Sequence, residues 1–449
     1  MSKTHFPVIC LVLALATTLH AQTFKVLYNF GSHPGDPTGP RYSGTIAQSP
    51  GANLCSSAGE QAFKISLSGS LTVLHQFGGI DGIFPIGGLV FATDQRFHGT
   101  TLLGGLYDRG TIFRIAPDGK VATLYNFKGG ADGGFPEAAP IQSVAGHFYG
   151  TTYGTFGNFG SVYKMTTTDQ FVLLHTFAGS DGANPSAPLI QGSDYNFYGT
   201  TLNGGTHDVG TIFRINAQGD FKVLYNFDGP HGERPFSHLI QASDGNFYGV
   251  TSGGGSSYAG VVFKMTPDHT FTVLHNFEAG SQGGYYELGG LVEATDGNLY
   301  GTNVQGGANG WGVLFRITTA GAFTVLHDFD WNSGASPMTT LVQHTNGKFY
   351  GDTNVGGTAD EGVFYSFDLG LPPFVKFLTV YGRVGAHVVI LGQHFTNESV
   401  VAFNGVAAQD PEIHPTYIKA IVPDGATTGL ITVTTTTGTL KSNKTFVIH

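Results

Sequence analysis

The sequence predicts an all-β protein in which a seven-bladed β-propeller is closed by the N-terminal strand and followed by a second, smaller β domain. Three observations predict this fold. The chain of 449 residues is rich in glycine and aromatic residues and poor in charge. A unit of about 50 residues recurs seven times along it. The N-terminal region carries a single strand pattern that the last unit lacks.

The composition indicates a folded, turn-rich protein. Charged residues make up 12% of the chain, against about 25% in an average soluble protein, and aromatic residues make up 13%. Disordered chains show the opposite balance, so the chain is expected to fold. The 68 glycines follow no Gly-X-Y period, which excludes collagen and favours tight turns between short strands. The net charge of −10 argues against nucleic acid as a partner, because that partner requires a basic face.

The N-terminus has the pattern of a secretory signal. An apolar run at 8–16 follows Lys3 and is too short to span a bilayer, and the small residues after it place a cleavage point behind Ala21. Residues 1–21 are therefore predicted to be a signal peptide, and the remaining chain is predicted to be secreted without a membrane span. Cleavage would leave Cys55 as the one cysteine, and its place in a repeated strand predicts a buried structural thiol.

Three phrases define the repeated unit. The first, Val-Leu-Tyr-Asn-Phe in its commonest form, ends at Phe30, Phe77, Phe127, Phe177, Phe227, Phe277 and Phe329. The second, Gly-Thr-Ile-Phe-Arg-Ile at 210–215, and the third, Asp-Gly-Asn-Phe-Tyr-Gly at 244–249, recur at the same spacing. Each unit contains four short β-rich runs separated by turn signals, as at 239–242, 247–250, 261–265 and 271–275. Four antiparallel strands per unit favour a β-propeller over a solenoid, whose rungs usually need only about 20–30 residues.

The two ends of the repeat complement each other. The seventh unit ends after the run at 362–367 without a fourth strand, whereas a lone fourth strand at 24–30 precedes the first unit. Pairing the two would complete the last blade and remove the exposed edges of an open array. The propeller is therefore predicted to span residues 22–371.

The repeated phrases also match a known pattern. Those at 210–215 and 296–302 resemble the tandem repeat of exported bacterial proteins called the GloVer (Gloeo/Verruco) repeat, and the resemblance covers most of the chain. It implies export and a repeat fold, with varied C-terminal surface anchors, and supplies no established catalytic residues. This sequence departs from the pattern in lacking a recognisable anchor and in its degenerate first unit, which has Ala-Asn-Leu-Cys at 52–55.

Residues 372–449 are predicted to form a separate module, which begins at Pro372 and Pro373. The phrases at 392–395, 401–408, 421–423 and 446–447 resemble, in order and spacing, those of the IPT/TIG immunoglobulin-like domain. The resemblance implies an immunoglobulin-like β-sandwich that acts as a spacer or contact module and brings no active site.

The repeated polar residues have mainly structural interpretations. One repeat position alternates between histidine and tyrosine, which a metal ligand could not tolerate. Its occupants are Tyr28, His75, Tyr125, His175, Tyr225, His275 and His327. Asp-Gly pairs at 81–82, 132–133 and 181–182 could bind a cation, but they lack the dense Asp/Asn alternation of a Ca²⁺ loop, so turn chemistry is favoured. No metal and no cofactor is predicted.

The long loops are predicted to share one face, because antiparallel strands place the loop between strands two and three on the side of the loop between blades. Loops on a rigid scaffold commonly carry binding residues. Aromatic rings beside carboxylates and amides suit a sugar, and packing of the loops against each other is the alternative interpretation. The candidate ligand-binding residues are Trp311, Trp331, Tyr107, Tyr258, Tyr285, Tyr286, His207, Asp208 and Arg234, and Phe156 lies in the same set of loops.

The sequence thus predicts a secreted, non-catalytic binding protein whose partner is an extracellular glycan or a surface protein. Two alternatives stay open. A lyase-like, carbohydrate-active enzyme could use His207, His231 and neighbouring carboxylates on the same face. No nucleophile elbow, zincin motif or closed set of metal ligands accompanies these residues. A purely structural envelope protein would instead bind only further copies of itself.

Overall fold

The computed structural model describes residues 22–40, 44–154, 157–278, 280 and 283–448. The predicted signal peptide and Phe156 lie outside these ranges. All regular structure within them is β, apart from one 3₁₀ turn at Gly79–Asp81, so the all-β prediction is confirmed. No helix among these residues has the length and apolar character needed to cross a bilayer.

Seven antiparallel sheets, here called sheets 1 to 7, follow one another in the described residues up to Asp368. Sheet 1 comprises β2 (Ala47–Gln48), β3 (Leu54–Ala58), β4 (Gln61–Ile65) and β5 (Leu71–Gln76), and sheet 2 comprises β6 (Val90–Phe91), β7 (Phe97–Thr101), β8 (Thr111–Ile115) and β9 (Val121–Asn126). Sheet 3 comprises β10 (Ile141–Gln142), β11 (Phe148–Thr152), β12 (Ser161–Met165) and β13 (Phe171–Thr176), and sheet 4 comprises β14 (Ile190–Gln191), β15 (Phe197–Thr201), β16 (Thr211–Ile215) and β17 (Phe221–Asn226). Sheet 5 comprises β18 (Ile240–Gln241), β19 (Phe247–Val250), β20 (Val261–Met265) and β21 (Phe271–Asn276).

The last two sheets depart slightly from this plan. Sheet 6 comprises β22 (Tyr285–Glu287), β23 (Val292–Glu293), β24 (Leu299–Gln305), β25 (Val313–Ile317) and β26 (Phe323–Asp328), and sheet 7 comprises β27 (Val342–Gln343), β28 (Phe349–Asp352), β29 (Val363–Asp368) and the N-terminal strand β1 (Thr23–Asn29). In sheet 6 the additional strand β22 pairs with β24 beside β23.

The N-terminal strand completes sheet 7, as the sequence predicts. Strand β1 pairs antiparallel with β29, from Thr23 opposite Asp368 to Asn29 opposite Val363. The next residue, Phe30, is fully buried. Sheets 7 and 1 are also tied together, because the Thr345 backbone N–H donates to the Gln48 side chain at 3.2 Å. The first and last parts of the repeat region are therefore joined to each other.

Sheets 2 to 7 each make room for a large aromatic ring by placing glycine on the neighbouring strand, whereas sheet 1 has Ser56 opposite Phe63. Gly249 on β19 lies opposite Phe263 on β20, and a Cβ atom at Gly249 would come within 2.5 Å of the ring tip. The same pair occurs in five more sheets, as Gly99 with Phe113, Gly150 with Tyr163, Gly199 with Phe213, Gly301 with Phe315 and Gly351 with Tyr365. These rings are fully buried and form the repeated centre of the core.

The alternating His/Tyr position joins neighbouring sheets. The His175 ring stacks on Phe221 of the next sheet with centroids 3.9 Å apart, and the Tyr225 ring stacks on Phe271 at the same distance. His175 Nε2 also lies 3.0 Å from Asp181 Oδ2, while Asp181 Oδ1 accepts the Ala178 backbone N–H. The position therefore requires a flat ring with a polar edge. The aspartate of the Asp-Gly pair at 181–182 is used within its own turn and by this ring.

Cys55, the one cysteine among the described residues, is a core residue. Cys55 on β3 has no exposed surface, and burial raises the pKa of its thiol to about 12. A thiol that stays protonated at neutral pH is a poor nucleophile. The prediction of a buried structural thiol is confirmed.

Two further sheets follow the repeat region. One comprises β30 (Lys376–Phe377), β32 (His387–Leu391), β35 (Glu412–His414) and β36 (Tyr417–Ile421), and the other comprises β31 (Tyr381–Gly382), β33 (Val400–Phe403), β34 (Val406–Ala407), β37 (Gly429–Thr435) and β38 (Gly438–Ile448). Both contribute to one core that includes Ile390, Phe403 and Phe446. The module contacts the repeat region at the hairpin between β14 and β15, the first two strands of sheet 4. There the Tyr381 hydroxyl donates to the Gly192 carbonyl at 3.2 Å.

Candidate functional site

Both kinds of long loop lie on one face of the repeat region, here called the long-loop face. The loop between the second and third strands of a sheet is hydrogen-bonded to the loop that enters the same sheet. In sheet 5, for example, the Gly255 backbone N–H donates to the Gly229 carbonyl at 2.8 Å. A cavity of about 670 Å³ is lined by residues 228–231 of one loop and 255–256 and Tyr258 of the other. The sequence-based placement of the two loops on one face is confirmed.

The loops that enter sheets 2 to 7 each contain a residue other than glycine in the left-handed conformation. These residues are Phe84, Phe135, Asn184, Arg234, Tyr286 and Ser336, with φ between 54° and 63°. The backbone of Arg234 is fixed on both sides, because its N–H donates to the Val209 carbonyl at 2.9 Å and its carbonyl accepts the Ser252 N–H at 3.1 Å. Because backbone hydrogen bonds fix the loop, the side chain at this position is free to differ from sheet to sheet.

The two tryptophans of the chain contact each other on the long-loop face. Trp311 precedes β25 and Trp331 lies in the loop that enters sheet 7, and their ring centroids are 4.4 Å apart at an interplanar angle of 63°. The Trp311 side chain is 41% exposed, so the pair presents aromatic surface to the solvent. The sequence places these residues on one face, and the structure brings them into contact.

Trp331 takes a backbone conformation that glycine adopts elsewhere in the repeat. Its φ is 68°, and its carbonyl accepts the Gly357 N–H at 2.6 Å. The same hydrogen bond is made in sheets 2, 4 and 5 by the carbonyls of Gly79, Gly179 and Gly229, which also have positive φ. A left-handed conformation costs a residue with a side chain roughly 1–2 kcal/mol. Trp331 therefore occupies a position where glycine would be less strained.

A second group of predicted residues surrounds the cavity of sheet 5. Tyr258 is 84% exposed at its rim. His231 Nδ1 lies 2.7 Å from Asp228 Oδ2. Burial by itself would raise the pKa of Asp228. Hydrogen bonds from His231 and the electrostatic effect of the His231 and His207 rings outweigh burial and lower this pKa. His207 and His231 are thus brought together around one carboxylate.

The other predicted residues are distributed around the face. Asp208 Oδ1 accepts the Gly204 backbone N–H at 3.0 Å, so this carboxylate supports its own loop. Tyr107 is 51% exposed in the corresponding loop of sheet 2. Tyr285 and Tyr286 lie on β22, with Tyr286 exposed. Among the described residues no three His, Cys, Asp or Glu side chains are grouped as a metal ion would require.

Sequence reasoning missed Glu137. Its side chain lines a cavity of about 540 Å³ on the long-loop face, together with Phe135, Tyr153, Asn158, Phe159 and Asn184. Burial raises the pKa of this carboxyl to about 8. A carboxyl with a strongly raised pKa in a cavity marks a candidate functional site. A comparison of the repeats in the sequence could have identified this residue, because it places a carboxylate at a repeat position where the other units have uncharged side chains. Those side chains are Ile86, Ser186, Phe236, Leu288 and Met338.

The raised pKa of Glu137 predicts a pH-dependent stability. The folded protein holds this proton more tightly than the unfolded chain, whose glutamates titrate near about 4.3. The stabilisation is therefore complete below that pH and is lost as the pH rises through about 8. Burial raises the pKa of Asp352 to about 7, which adds to the same trend. We expect Glu137→Gln to reduce the fall in unfolding free energy between pH 5 and 8 by about 1 kcal/mol or more.

Urea unfolding at the two pH values measures this difference. The matched control is Glu398→Gln, because Glu398 is exposed in the C-terminal module. An equal fall in stability for the parent and the Glu137→Gln protein would show that the Glu137 carboxyl is not held in its neutral form by the fold.

Comparison with known proteins identifies the repeat. The model of the Gloeobacter/Verrucomicrobia repeat matches residues 47–243 and 219–388. These matches cover well over half of the chain, which therefore belongs to this repeat family. No curated protein is significantly similar in sequence.

Two of the similar solved structures are gluconolactonases. The periplasmic gluconolactonase PpgL of Pseudomonas aeruginosa has 16% sequence identity and a TM-score of 0.45, with coverage of 72% of this chain and 97% of that chain. A gluconolactonase of Xanthomonas campestris has 14% identity and a TM-score of 0.43, with coverage of 80% and 93%. At these scores neither similarity bears on activity.

Proposed function

We propose that the protein is an exported, non-catalytic binding protein that recognises a carbohydrate through Trp311 and Trp331 on the long-loop face. The observation that carries this proposal is the left-handed conformation of Trp331, at a position where other sheets have glycine. Strained residues that persist in a fold cluster at ligand sites. A tryptophan kept there at the expense of backbone strain is better explained by a ligand than by folding.

The surroundings of the tryptophan pair suit a sugar. An exposed indole offers a flat apolar surface to the carbon face of a pyranose. Asn332, next to Trp331, is exposed, and Asp330 Oδ1 accepts the Ser333 backbone N–H at 2.7 Å. The Ser333 hydroxyl and, after it, this backbone hydrogen bond lower the pKa of Asp330, so its carboxylate is ionised at neutral pH and can accept hydrogen bonds from hydroxyl groups. Apolar rings beside a few placed polar groups are the usual composition of a small-ligand site.

The proposal also covers architecture and location. Sheets 1 to 7 are taken as the blades of a seven-bladed β-propeller, and their number and their closure by β1 support this assignment. Residues 372–449 are taken as an immunoglobulin-like spacer or second contact, supported by their two sheets around one core. Export rests on the signal pattern at 1–21.

The test is a glycan-array screen of the exported chain beside a Trp331→Gly variant. Glycine relieves the backbone strain while the variant loses the contact with Trp311, so we expect a folded protein whose stability changes by less than about 1 kcal/mol. Binding is expected to fall by at least about tenfold, since one lost aromatic anchor is worth more than about 1.4 kcal/mol. Isothermal calorimetry with the best glycan measures the change.

A matched control is Ile80→Ala. Ile80 is 71% exposed on the same face, in the loop that enters sheet 2, but it lies away from the tryptophan pair. We expect this variant to bind like the parent protein. A Trp331→Gly protein that is strongly destabilised yet keeps its glycan affinity would assign Trp331 a structural role and refute the proposal.

A second candidate is a carbohydrate-active enzyme on the same face, and Glu137 favours it. A carboxyl that is protonated near neutral pH in a cavity of about 540 Å³ could act as a general acid. Turnover of polysaccharides that is lost in Glu137→Gln and kept in Trp331→Gly would support the enzyme over the binding protein.

A further inference from the structure

Another cavity lies on the opposite side of the repeat region, where the C-terminal module packs. A cavity of about 260 Å³ is bounded by β18, β23 and β27 of sheets 5, 6 and 7, by the residues just before β2 of sheet 1, and by residues of the module. Its lining includes Ile240, Val292 and Val342 from the three strands and Ile46 from the segment before β2. Residues from both ends of the repeat region therefore face one space, and residues of the module line it as well.

Three basic side chains line this cavity. Lys376 and Lys444 come from the C-terminal module, on β30 and β38, and His238 comes from the residues just before β18. His238 is the only basic residue at its repeat position, where other sheets have Gly88, Ala139, Pro188, Gly290 and Thr340. The glycine of the next sheet makes room for it, since a Cβ atom at Gly290 would lie 3.0 Å from His238 Nδ1.

The cavity provides one carboxylate against two ammonium groups. Among the described residues that line it, Glu293 is the only acidic one, and both of its carboxylate oxygens accept hydrogen bonds from Ser243. His238 Nδ1 is buried and has no hydrogen-bond partner among the described residues. Burial and the nearby Lys444 lower the pKa of Lys376 to about 8 and that of His238 to about 4. Glu293 is the carboxylate that interacts with Lys444, so a single negative charge faces the two ammonium groups of Lys376 and Lys444. An excess of like charge in a partly desolvated space is costly to keep.

We propose that this cavity binds a small inorganic oxyanion of the phosphate or sulfate type between Lys376, Lys444 and His238. The ammonium groups supply positive charge and donors, the Asn443 side chain that lines the same space can donate, and neutral His238 can donate from one ring nitrogen. The volume is several times the ~30 Å³ that one water molecule takes in the liquid. Because both lysines belong to the C-terminal module, a bound anion would fasten the module to the repeat region.

The experiment is a thermal-unfolding titration of the exported chain with sodium phosphate or sodium sulfate, at constant ionic strength set by sodium chloride. A ligand that binds only the folded state raises the melting temperature with its concentration. We expect a rise of about 3 °C at phosphate concentrations about 100-fold above the dissociation constant, which grows with the logarithm of the phosphate concentration. Lys444→Gln and Lys376→Gln are each expected to abolish it.

Lys441→Gln is the matched control, because Lys441 lies on the same strand β38 and is exposed like Lys444, but it does not line this cavity. It is expected to respond to phosphate like the parent. Without anion, Lys376→Gln is expected to be at least as stable as the parent, since it removes a partly buried charge that Lys444 repels. Isothermal calorimetry of phosphate binding to the Lys444→Gln protein is a second measurement of the same loss. No rise in the parent, or an equal rise in the parent and both cavity variants, would overturn the proposal.

Discussion

Replacement of Gly249 by alanine is expected to destabilise the protein by about 3 kcal/mol. The new Cβ atom would lie 2.5 Å from Phe263 Cζ and 2.9 Å from Leu239 Cδ2, and Phe263 has no exposed surface into which it could move. The closely packed interior can relieve such an overlap only by moving side chains off their rotamers or shifting backbone. Equilibrium urea unfolding measures the loss.

Gly130→Ala serves as the control, because a Cβ atom there would meet nothing within 4 Å and the backbone is not left-handed. Its stability should stay within about 0.5 kcal/mol of the parent. Shortening the opposing ring in Gly249→Ala/Phe263→Leu should recover part of the loss, which a double-mutant cycle reports as coupling between the two positions. Equal effects of Gly249→Ala and Gly130→Ala would contradict the packing described for the sheets.

Removal of the N-terminal strand is expected to abolish cooperative folding of the repeat region. A chain that begins at residue 32 loses the antiparallel pairing of β1 with β29 and the fully buried Phe30 ring. It also loses Phe24, whose ring stacks on His327 of sheet 6 at a centroid distance of 3.9 Å. Loss of one buried phenylalanine alone costs about 3–5 kcal/mol, and whole proteins are stable by only about 5–15 kcal/mol.

Addition of the missing strand in trans tests this expectation. A synthetic peptide of residues 22–31 should restore a cooperative thermal transition to the truncated chain, because strand addition to a sheet edge replaces the lost backbone hydrogen bonds. The same peptide with Phe24 and Phe30 changed to serine should restore far less. A truncated chain that unfolds cooperatively at the parent temperature without peptide would show that closure by β1 contributes little stability.

The elements of the fold could be predicted because the information for them is local and repeated. The hairpin at Asp244 depends on residues four apart, since its carboxylate accepts the Asn246 backbone N–H and the Tyr248 hydroxyl. The pairing of β1 with β29 followed from a strand missing at one end and left over at the other. Neither inference required knowledge of distant contacts.

The sites were less accessible from the sequence, because they depend on residues that are far apart in the chain. His238 and Lys444 line one cavity across more than 200 residues, and no local pattern relates them. Glu137 could have been found by comparing the repeats, since it replaces residues without charge at one position. Trp311 and Trp331 were placed on the correct face, but their contact depends on the path of two loops from different sheets.

The most direct test of the proposed binding face is a fluorescence titration of the unmodified protein with the glycan that binds best on the array. Trp311 and Trp331 are the only tryptophans in the chain, so the intrinsic tryptophan emission reports on this pair alone. A ligand that covers the pair should change the emission in a saturable way, with the same dissociation constant that calorimetry gives. Glycan binding by calorimetry without any change in tryptophan emission would place the ligand elsewhere and contradict the account.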